Sequence, residues 1–340
     1  MNTTVYGIDI AKNVFQLHTV DMTTGEVVNR QVKRAVFLEQ FVNLEPCLIG
    51  MEACGGAQHW ARKLTDMGHE VRLMSGKFVK AFVNGNKSDA ADARGIWVAV
   101  QQHGTKVIAV KTEEQQAVLA LHRMRSQLIK FRTMQVNALR GLLTEYGEVM
   151  GVGRASLNRA MNDVLARLNE RLPAMLIDTL REQYARLTQL DEEIAQIERR
   201  LNDWKKESPA CKAIAEIPGV GLLTATAAVA TMGNPKAFKS GAEFAAFLGL
   251  VPSHTGTGGK VRQLGMSGRG DTYLRTLLIH GARSVLTHAK QPTIWVEQIS
   301  KRRPKNVVAV ALANKMARTI WALLAHDRQY QKDFISVKPV

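Results

Sequence analysis

Four acidic residues in the amino-terminal third of the chain have the types and positions needed for metal-dependent phosphoryl transfer. Asp9 lies inside an apolar segment, where a charged side chain is costly unless something pairs with it. Glu52 follows a second apolar segment and so lies at the carboxyl end of a predicted strand, the edge at which α/β active sites collect. Asp89 and Asp92 are three positions apart, a spacing that puts both on one face of a helix.

If the strands that carry Asp9 and Glu52 are neighbours, the carboxylates meet and repel one another unless divalent cations neutralise them. Hard oxygen ligands favour Mg²⁺, with Mn²⁺ as the alternative. Two such ions about 4 Å apart can activate an attacking oxygen and stabilise a leaving one, which is nuclease or transposase chemistry. A salt-bridged Asp9, or a helix cap at Ser88 and Asp89, would explain each feature singly. Only the combination favours a metal site.

An α/β domain with a mixed sheet is predicted to position these carboxylates. Apolar and alternating segments predict strands over 5–10, 14–20, 27–32, 47–51 and 71–74. Helical patterns are predicted over 35–43, 57–67, 88–102 and 112–146. The first three strands follow one another directly and the later ones alternate with helices, so we expect a sheet that is antiparallel first and parallel after.

Sugar kinases and actin-like ATPases also begin with a strand that bears an acidic residue. They follow it with a glycine-rich, hydroxyl-bearing turn that holds phosphate. Here Asp9 is followed by Ile10-Ala11-Lys12-Asn13, which lacks those glycines, so the sequence disfavours this class.

A helical spacer is predicted in the middle of the chain. Between 180 and 204 the apolar positions are separated only by threes and fours, as in a coiled-coil seam: Leu180, Tyr184, Leu187, Leu190, Ile194, Ile197, Leu201 and Trp204. The spacer would pair subunits or fold back as a hairpin, and an amphipathic helix packed on its own domain is the alternative. Beyond Pro209 the composition becomes small and glycine-rich. We predict a metal-binding domain over 1–150, the spacer over 151–208, a second globular domain over 209–325 and a tail over 326–340.

The charge balance predicts a polyanionic partner, because 46 Lys and Arg face 30 Asp and Glu, a formal net charge of +16. No basic amphipathic membrane anchor stands out, so nucleic acid is favoured over a membrane surface. No uninterrupted apolar segment reaches the roughly 20 residues of a membrane span, and no secretory signal pattern is present, so we expect a cytoplasmic protein. The three cysteines, Cys47, Cys54 and Cys211, lack zinc-site spacing and are expected to be inert.

Two glycine-rich segments of the second domain could handle DNA. Ile217-Pro218-Gly219-Val220-Gly221 is similar to the turn of helix-hairpin-helix modules, in which backbone N–H groups hold a phosphate, although such a turn can also be an ordinary helix connection. The segment from Gly249 to Lys260 is predicted as a flexible loop that approaches a phosphodiester and carries a hydroxyl that could act as nucleophile. The alternative is a mobile surface loop without such a role. Predicted nucleic-acid contacts are Gly219, Gly221, Lys260, Arg262, Arg269 and Arg275. His254 and His280 are interpreted as structural, and the basic segment 301–305 as either a phosphate contact or a solvated cluster.

Taken together, these segments resemble the DEDD transposases of the IS110 insertion-sequence family, especially its IS1111 branch, over nearly the whole chain. The resemblance rests on Gly7–Lys12, Met51–Gly55 and Lys87–Ala93 in the first domain, and on Ile217–Gly221, Phe247–Pro252 and Arg269–Arg275 in the second. It implies a RuvC-like, ribonuclease H-like fold at the amino terminus, a coiled-coil spacer and a mainly α transposase domain.

The resemblance also implies an activity, partners and an assembly. The expected enzyme is a bacterial transposase, nucleoid-associated when active, that works on donor and target DNA as a tetramer built from dimers. A noncoding bridge RNA would guide it by pairing with both DNAs. Asp9, Glu52, Asp89 and Asp92 would bind magnesium, and a serine of the second domain, supplied by another subunit, would attack DNA and form a covalent link.

Two positions depart from the family pattern. The nucleophilic serine is expected five residues after Pro252, where this chain has Thr257, so either Thr257 replaces it or Ser253 or Ser267 acts instead. Gly268 stands where relatives commonly have lysine. Two other hypotheses stay open: a metal-dependent junction-resolving nuclease that uses water, and a nucleic-acid-binding protein without catalysis.

Overall fold

The computed structural model describes residues 4–86 and 88–332. The chain divides into two compact units: Met1–Gln115 with Met232–Lys239 form unit 1, and Gln116–Thr231 with Ser240–Val340 form unit 2. The predicted domain limits at residues 150, 208 and 325 stay predictions. Lys87 and residues 333–340 of the predicted tail lie outside the described residues.

Unit 1 contains a mixed six-stranded sheet, which confirms the predicted arrangement. Its strands are β1 Val5–Ile10, β2 Val14–Val20, β3 Val27–Lys33, β4 Leu48–Glu52, β5 Glu70–Met74 and β6 Val107–Ile108. Their order is β3-β2-β1-β4-β5-β6. The β1/β2, β2/β3 and β5/β6 pairs are antiparallel, whereas β1/β4 and β4/β5 are parallel. Parallel pairing brings the carboxyl ends of β1, β4 and β5 to the same edge.

Helices cover both faces of this sheet: α1 Ala57–Asp66, the short α2 Gly76–Val79 and α3 Asp89–Val100. Alternation along the strands decides which residues meet which helix. Ile8, Ile49 and Met51 are buried in the cluster that contains Trp60 and Leu64 of α1. The strand residues between them therefore point to the opposite face, against which α3 packs.

The helix predicted over 35–43 is wrong. This segment forms two 3₁₀ turns, Arg34–Val36 and Leu38–Gln40, in which Phe37 N–H donates to Arg34 O and Phe41 N–H to Leu38 O. Phe37 and Phe41 are both buried and pack edge-to-face with each other. Burial of these two aromatic rings in the core determines the conformation of this segment more than helical hydrogen bonding does.

Two glycines on adjacent strands let α3 lie directly on the sheet. Gly7 of β1 pairs with Gly50 of β4. A Cβ atom on Gly7 would lie 2.3 Å from Ala93 O and 2.5 Å from Trp97 N, and one on Gly50 would lie 2.8 Å from Val100 Cβ. Any larger side chain at either position would push α3 away from β1 and β4.

Unit 2 is mostly helical, as expected. Its elements in chain order are α4 Glu113–Glu145, which begins in unit 1, α5 Arg154–Asn169, α6 Ala174–Glu207, α7 Pro209–Ala215, α8 Leu222–Met232, α9 Gly241–Phe247, β7 Pro252–Thr257, β8 Lys260–Met266, α10 Thr272–His288, α11 Ile294–Ser300 and α12 Lys305–His326. The antiparallel pair β7/β8 forms a sheet of its own.

The apolar positions of α6 are covered by the same chain. Leu180 and Leu187 share a buried cluster with Val136 and Leu139 of α4, and Leu201 packs with residues at the start of α4. Thus α6 runs antiparallel to α4 as a folded-back helical pair. Pairing of subunits through a coiled coil remains a proposal.

Helix α12 is the one helix of the described residues that is long and apolar enough to cross a membrane. It packs against α7, α9, α10 and α11. Ala313, Ala317 and Ile320 are fully buried. These contacts are those of a core helix in unit 2.

Gly7→Ala is expected to lower the free energy of unfolding by about 1–3 kcal/mol, because the added methyl meets backbone atoms that cannot rotate away. Urea denaturation followed by circular dichroism measures this. Gly141→Ala in α4 is the control, since a Cβ there meets no atom within 4 Å. It should leave stability unchanged or raise it by up to about 1 kcal/mol. Equal effects of the two substitutions would contradict the close packing of α3 on β1.

Candidate functional site

Asp9 and Glu52 lie on the α3 face of the sheet, at the carboxyl ends of neighbouring strands. The β1/β4 register runs from Val5 and Leu48 to Ile8 and Met51, so Asp9 and Glu52 come next in it. Each follows its glycine by two residues and therefore points to the same side as Gly7 and Gly50. This confirms that the strands carrying the two carboxylates are adjacent.

The first turn of α3 supplies the other two acidic residues. Ser88 is the N-cap, and its hydroxyl oxygen accepts from Ala91 N–H at 3.2 Å. Asp89 is exposed and Asp92 half-buried, and both lie within the first turn. The cap at Ser88 fixes the start of the helix, and the glycine pair fixes its position on β1 and β4.

The charges of the other three acidic residues act on Asp9. The pKa of Asp9 is raised to about 6, first by burial and then by the negative charges of Asp92, Asp89 and Glu52. Within residues 4–86 and 88–332, no Lys or Arg forms an ion pair with any of the four. Their mutual repulsion is thus not relieved by a basic side chain in that part of the protein.

The donor set fits a hard divalent cation. All four side chains offer carboxylate oxygens, the ligands that Mg²⁺ and Mn²⁺ prefer. Among the described residues, no three His, Cys, Asp or Glu side chains are close enough together to form a ready-made metal site. The carboxylates share one edge of the sheet without a preassembled ligand shell, so a cation there would have to draw their oxygens inward.

Cys54 also lies at this edge, although the sequence predicted only an inert thiol. It is exposed, and its pKa is raised by burial of the sulfur and by the charges of Glu52 and Asp9. The only sequence signal was its position two residues after Glu52. The raised pKa favours the neutral thiol, and the low reactivity of Cys54 stays a prediction.

The flexible loop predicted from Gly249 to Lys260 is wrong, since most of it belongs to the hairpin β7–β8. Gly258 and Gly259 both have positive φ, 54° and 79°, and form a two-residue turn between paired Thr257 and Lys260. Such turns match the twist of the flanking strands and require glycine-like backbone conformations. The glycines that suggested flexibility instead close a β-hairpin.

The hairpin register assigns its side chains to two different faces. Thr257 pairs with Lys260 and Thr255 with Arg262, so these four share one face, whereas His254 and Gln263 lie on the other. Every residue of β8 is exposed. Hydroxyl groups and cations therefore lie side by side on one accessible surface, the polar face.

The three candidate nucleophiles differ in their surroundings. Ser253 lies beside the β-bulge, and its hydroxyl donates to Gly265 O at 3.0 Å. Ser267 follows β8 and is half-buried, with its N–H donating to Val251 O. Thr257 is exposed at the end of β7, next to Lys260. Of the three, Thr257 is the most accessible and the one flanked by a cation across the hairpin.

The remaining predicted nucleic-acid contacts fall into two groups. Gly221, Lys260, Arg262 and Arg269 are exposed, as are His254, His280 and residues 301–305. Gly219 is packed tightly, since a Cβ there would lie 2.7 Å from Gly281 O in α10. Arg275 is only 7% exposed and donates to Leu248 O and Arg269 O. Both residues support the structure of unit 2, and a direct contact of either with nucleic acid stays a prediction.

A buried histidine that the sequence did not single out links α4, α8 and α10 of unit 2. His122 Nε2 lies 3.0 Å from the Thr226 hydroxyl, which itself donates to Leu222 O, so Nε2 carries the proton. Nδ1 then accepts from the Tyr273 hydroxyl at 2.9 Å. Burial lowers the pKa of His122 to about 4, so the ring is neutral. Its hydrogen bond to Tyr273 holds the start of α10, which follows Arg269 closely in the chain. No local sequence pattern indicates this role of His122.

Comparison with known protein families identifies the chain. Residues 6–148 match the IS110 DEDD model, described as a transposase, and residues 211–294 match the model described as transposase IS116/IS110/IS902 family. The chain belongs to the IS110 transposase family. The first match contains Asp9, Glu52, Asp89 and Asp92, and the second contains Thr257.

Curated relatives agree with this assignment over almost their whole length. A probable family 20 transposase of Pseudomonas aeruginosa is 44% identical over 97% of this chain and 99% of its own. The transposase for insertion sequence element IS1111A of Coxiella burnetii is 40% identical over 96% and 91%, and that for IS1328 of Yersinia enterocolitica is 34% identical over 97% and 99%. These relatives place the chain in the IS1111 branch.

The family establishes the kind of enzyme. This IS110 transposase cleaves DNA and transfers its strands. Its DEDD nuclease-like domain, which is ribonuclease H-like, implies dependence on a divalent metal ion. Membership confirms the resemblance drawn from the motifs.

In metal-free IS110 transposase, Asp9→Asn is expected to raise the free energy of unfolding at pH 7–8 by about 1–2 kcal/mol. This figure is already reduced because solvent screens the half-buried Asp9 charge. Asp9 has a pKa of about 6 in the folded protein, against an ordinary value of 3.8. Protonation of Asp9 therefore favours folding, and its contribution to stability falls as pH rises from 3.8 to 6. Urea denaturation in EDTA at several pH values measures the difference.

The gain from Asp9→Asn should shrink as the pH falls towards 4, where Asp9 is protonated in the folded protein. Asp66→Asn is the control, because Asp66 is an exposed carboxylate at the end of α1. A stability difference that does not change with pH would contradict the assignment of repulsion to Asp9.

Proposed function

We propose that this transposase uses Asp9, Glu52, Asp89 and Asp92 to bind Mg²⁺, with Mn²⁺ as a possible substitute, and Thr257 as its nucleophile. The observation that supports the acidic site most directly is the pKa of Asp9, raised by burial and by the other three carboxylates. Four mutually repelling carboxylates without a basic partner in the described residues are best explained by a cation ligand.

The chemical step is a transesterification. Bound divalent ions would stabilise negative charge at the reacting phosphate. Thr257 Oγ1 forms a bond to phosphorus, one P–O bond of the DNA breaks, and the displaced sugar oxygen gains a proton equivalent to the one the hydroxyl loses. Lys260 and Arg262 share the polar face with Thr257 and would pair with the phosphate charge. The phosphoester bond is kept on the enzyme, so the reverse reaction on another strand needs no energy source.

The partners are proposed from charge and family resemblance. A net charge of +16 suits donor and target DNA as well as a guiding bridge RNA. Nucleic-acid contacts are proposed at Lys260, Arg262, Arg269 and the N–H groups near Gly221, with Gly219 and Arg275 holding the neighbouring backbone. We further propose a tetramer built from dimers, with α6 contributing to subunit pairing, and a cytoplasmic location.

Asp9→Asn tests the acidic site. It should reduce DNA cleavage and strand exchange at least 100-fold while DNA affinity stays within about two-fold, because the carboxylate is needed for metal binding and not for DNA binding. Gel assays of a supercoiled donor plasmid and fluorescence anisotropy measure the two quantities. Asp66→Asn serves as control here as well. Wild-type cleavage by Asp9→Asn would reject the assignment.

Thr257→Val and Thr257→Ser test the nucleophile. Valine keeps the branched shape and removes the hydroxyl, so the covalent protein–DNA adduct trapped by denaturation should disappear, whereas serine should retain it. Ser253→Ala should leave the adduct in place. Cleavage by the wild type without any adduct would favour the junction-resolving nuclease, in which water is the nucleophile.

A further inference from the structure

A small pocket lies between α3 and the segment that precedes it, and we call it the α3 pocket. Its volume is about 170 Å³. It is lined by three residues before α3 and three of α3 itself: Ala81, Phe82, Asn84, Ala91, Arg94 and Val98. Ala81, Asn84 and Arg94 are exposed, so the pocket opens to solvent. This volume is that of roughly six water molecules in the liquid, which is enough for a phosphate group.

Close packing holds the two walls of the α3 pocket together. A Cβ atom built on Gly95 of α3 would lie 2.6 Å from Val83 Cγ2 and 3.4 Å from Phe82 O. Phe82 in turn packs on Phe78, with 5.3 Å between the ring centroids. Because the preceding segment is fixed against α3 in this way, the pocket is formed by the fold itself.

Arg94 brings a positive charge to the pocket that no carboxylate in the described part of the chain neutralises by an ion pair. Helical geometry explains why Asp92 does not pair with it, since side chains two positions apart point in nearly opposite directions. Ala91 and Val98, three and four positions from Arg94, share its side of the helix. The guanidinium is thus directed to the pocket and remains available to an anion.

The pocket lies close to the acidic edge. Asp89 and Asp92 belong to the first turn of α3, and Arg94 is five residues after Asp89, about 7.5 Å further along the helix axis. A nucleic-acid strand that crosses this edge would bring a neighbouring phosphate near Arg94. The guanidinium can donate two parallel N–H bonds to phosphate oxygens, and the Asn84 amide can donate another.

We propose that the α3 pocket binds a phosphate of the DNA strand that lies across the acidic edge, with Arg94 and Asn84 as donors. This inference rests on the proposed function, which makes that edge the place where DNA reacts. DNA is favoured over RNA because the IS110 transposase cleaves DNA. A contact with the backbone alone holds the strand without reading its sequence.

The test is Arg94→Gln, with affinity for a fluorescein-labelled DNA duplex of random sequence measured by anisotropy in EDTA at several NaCl concentrations. Loss of one phosphate contact should lower the salt slope, log Kd against log[NaCl], by about 0.9 and weaken binding roughly five- to ten-fold near 0.1 M NaCl. Arg94→Lys keeps the charge and should keep the slope. Because Arg94 is exposed, the melting temperature should not change.

Lys63→Gln is the matched control for charge. It removes one exposed positive charge from α1, which covers the opposite face of the sheet. Its salt slope should equal that of the wild type. Equal slopes for Arg94→Gln and Lys63→Gln would overturn the proposal.

Ala81→Leu tests the pocket without a change of charge. Ala81 is exposed and lines the pocket, so a leucine there would fill the space without disturbing the core. It should weaken DNA binding and lower the salt slope as Arg94→Gln does. An unchanged slope would overturn the proposal, because Arg94 would then contact DNA outside the pocket.

Two further outcomes separate this proposal from the proposed function. If Arg94→Gln weakens binding of an RNA hairpin and leaves DNA binding unchanged, the occupant is RNA and the proposal is wrong. Wild-type cleavage by Asp9→Asn would reject the acidic site. Loss of cleavage in Asp9→Asn together with an unchanged salt slope in Arg94→Gln would reject only the α3 pocket.

Discussion

The close approach of α3 to β1 and β4 is the constraint on which the acidic site depends. It exists because Gly7 and Gly50, paired across two parallel strands, have no side chains between sheet and helix. The same alternation that turns the glycines towards α3 turns Asp9 and Glu52 to that side. The packing of α3 on the two strands therefore places acidic residues of β1, β4 and α3 on one side of the sheet. The repulsion among their charges disfavours this arrangement.

Much of the acidic site could be predicted from sequence because its information is local. Strand alternation placed Asp9 and Glu52, and helical spacing placed Asp89 and Asp92. The contact of Glu52 with Gly76 could not be predicted, since it arises from the Glu52 side chain crossing to a neighbouring strand end. Long-range contacts of this kind leave no periodic pattern in the chain.

The errors of sequence interpretation have the same origin. Gly258 and Gly259 suggested a flexible loop, but glycine pairs also close tight hairpins, and only the pairing of Thr257 with Lys260 decides between the two. The segment 35–43 looked helical, yet burial of its aromatic rings in the core overrides local propensity. The sequence of α4 does not indicate the role of His122 for the same reason, because its hydrogen-bond partners lie on α8 and α10.

Among the described residues, the ion pairs distinguish Asp191 from Asp9. In unit 2, Asp191 accepts from Arg132 at 2.7 Å and from Arg154 at 2.9 Å, and its pKa is lowered in spite of partial burial. In unit 1, Asp9 is half-buried without such a partner among the described residues, and its pKa moves the opposite way. A protein with 16 excess positive charges has ample arginine and lysine to neutralise this edge. Repulsion among these carboxylates disfavours the metal-free fold. Under the proposed function, a divalent cation bound at this edge would offset that repulsion.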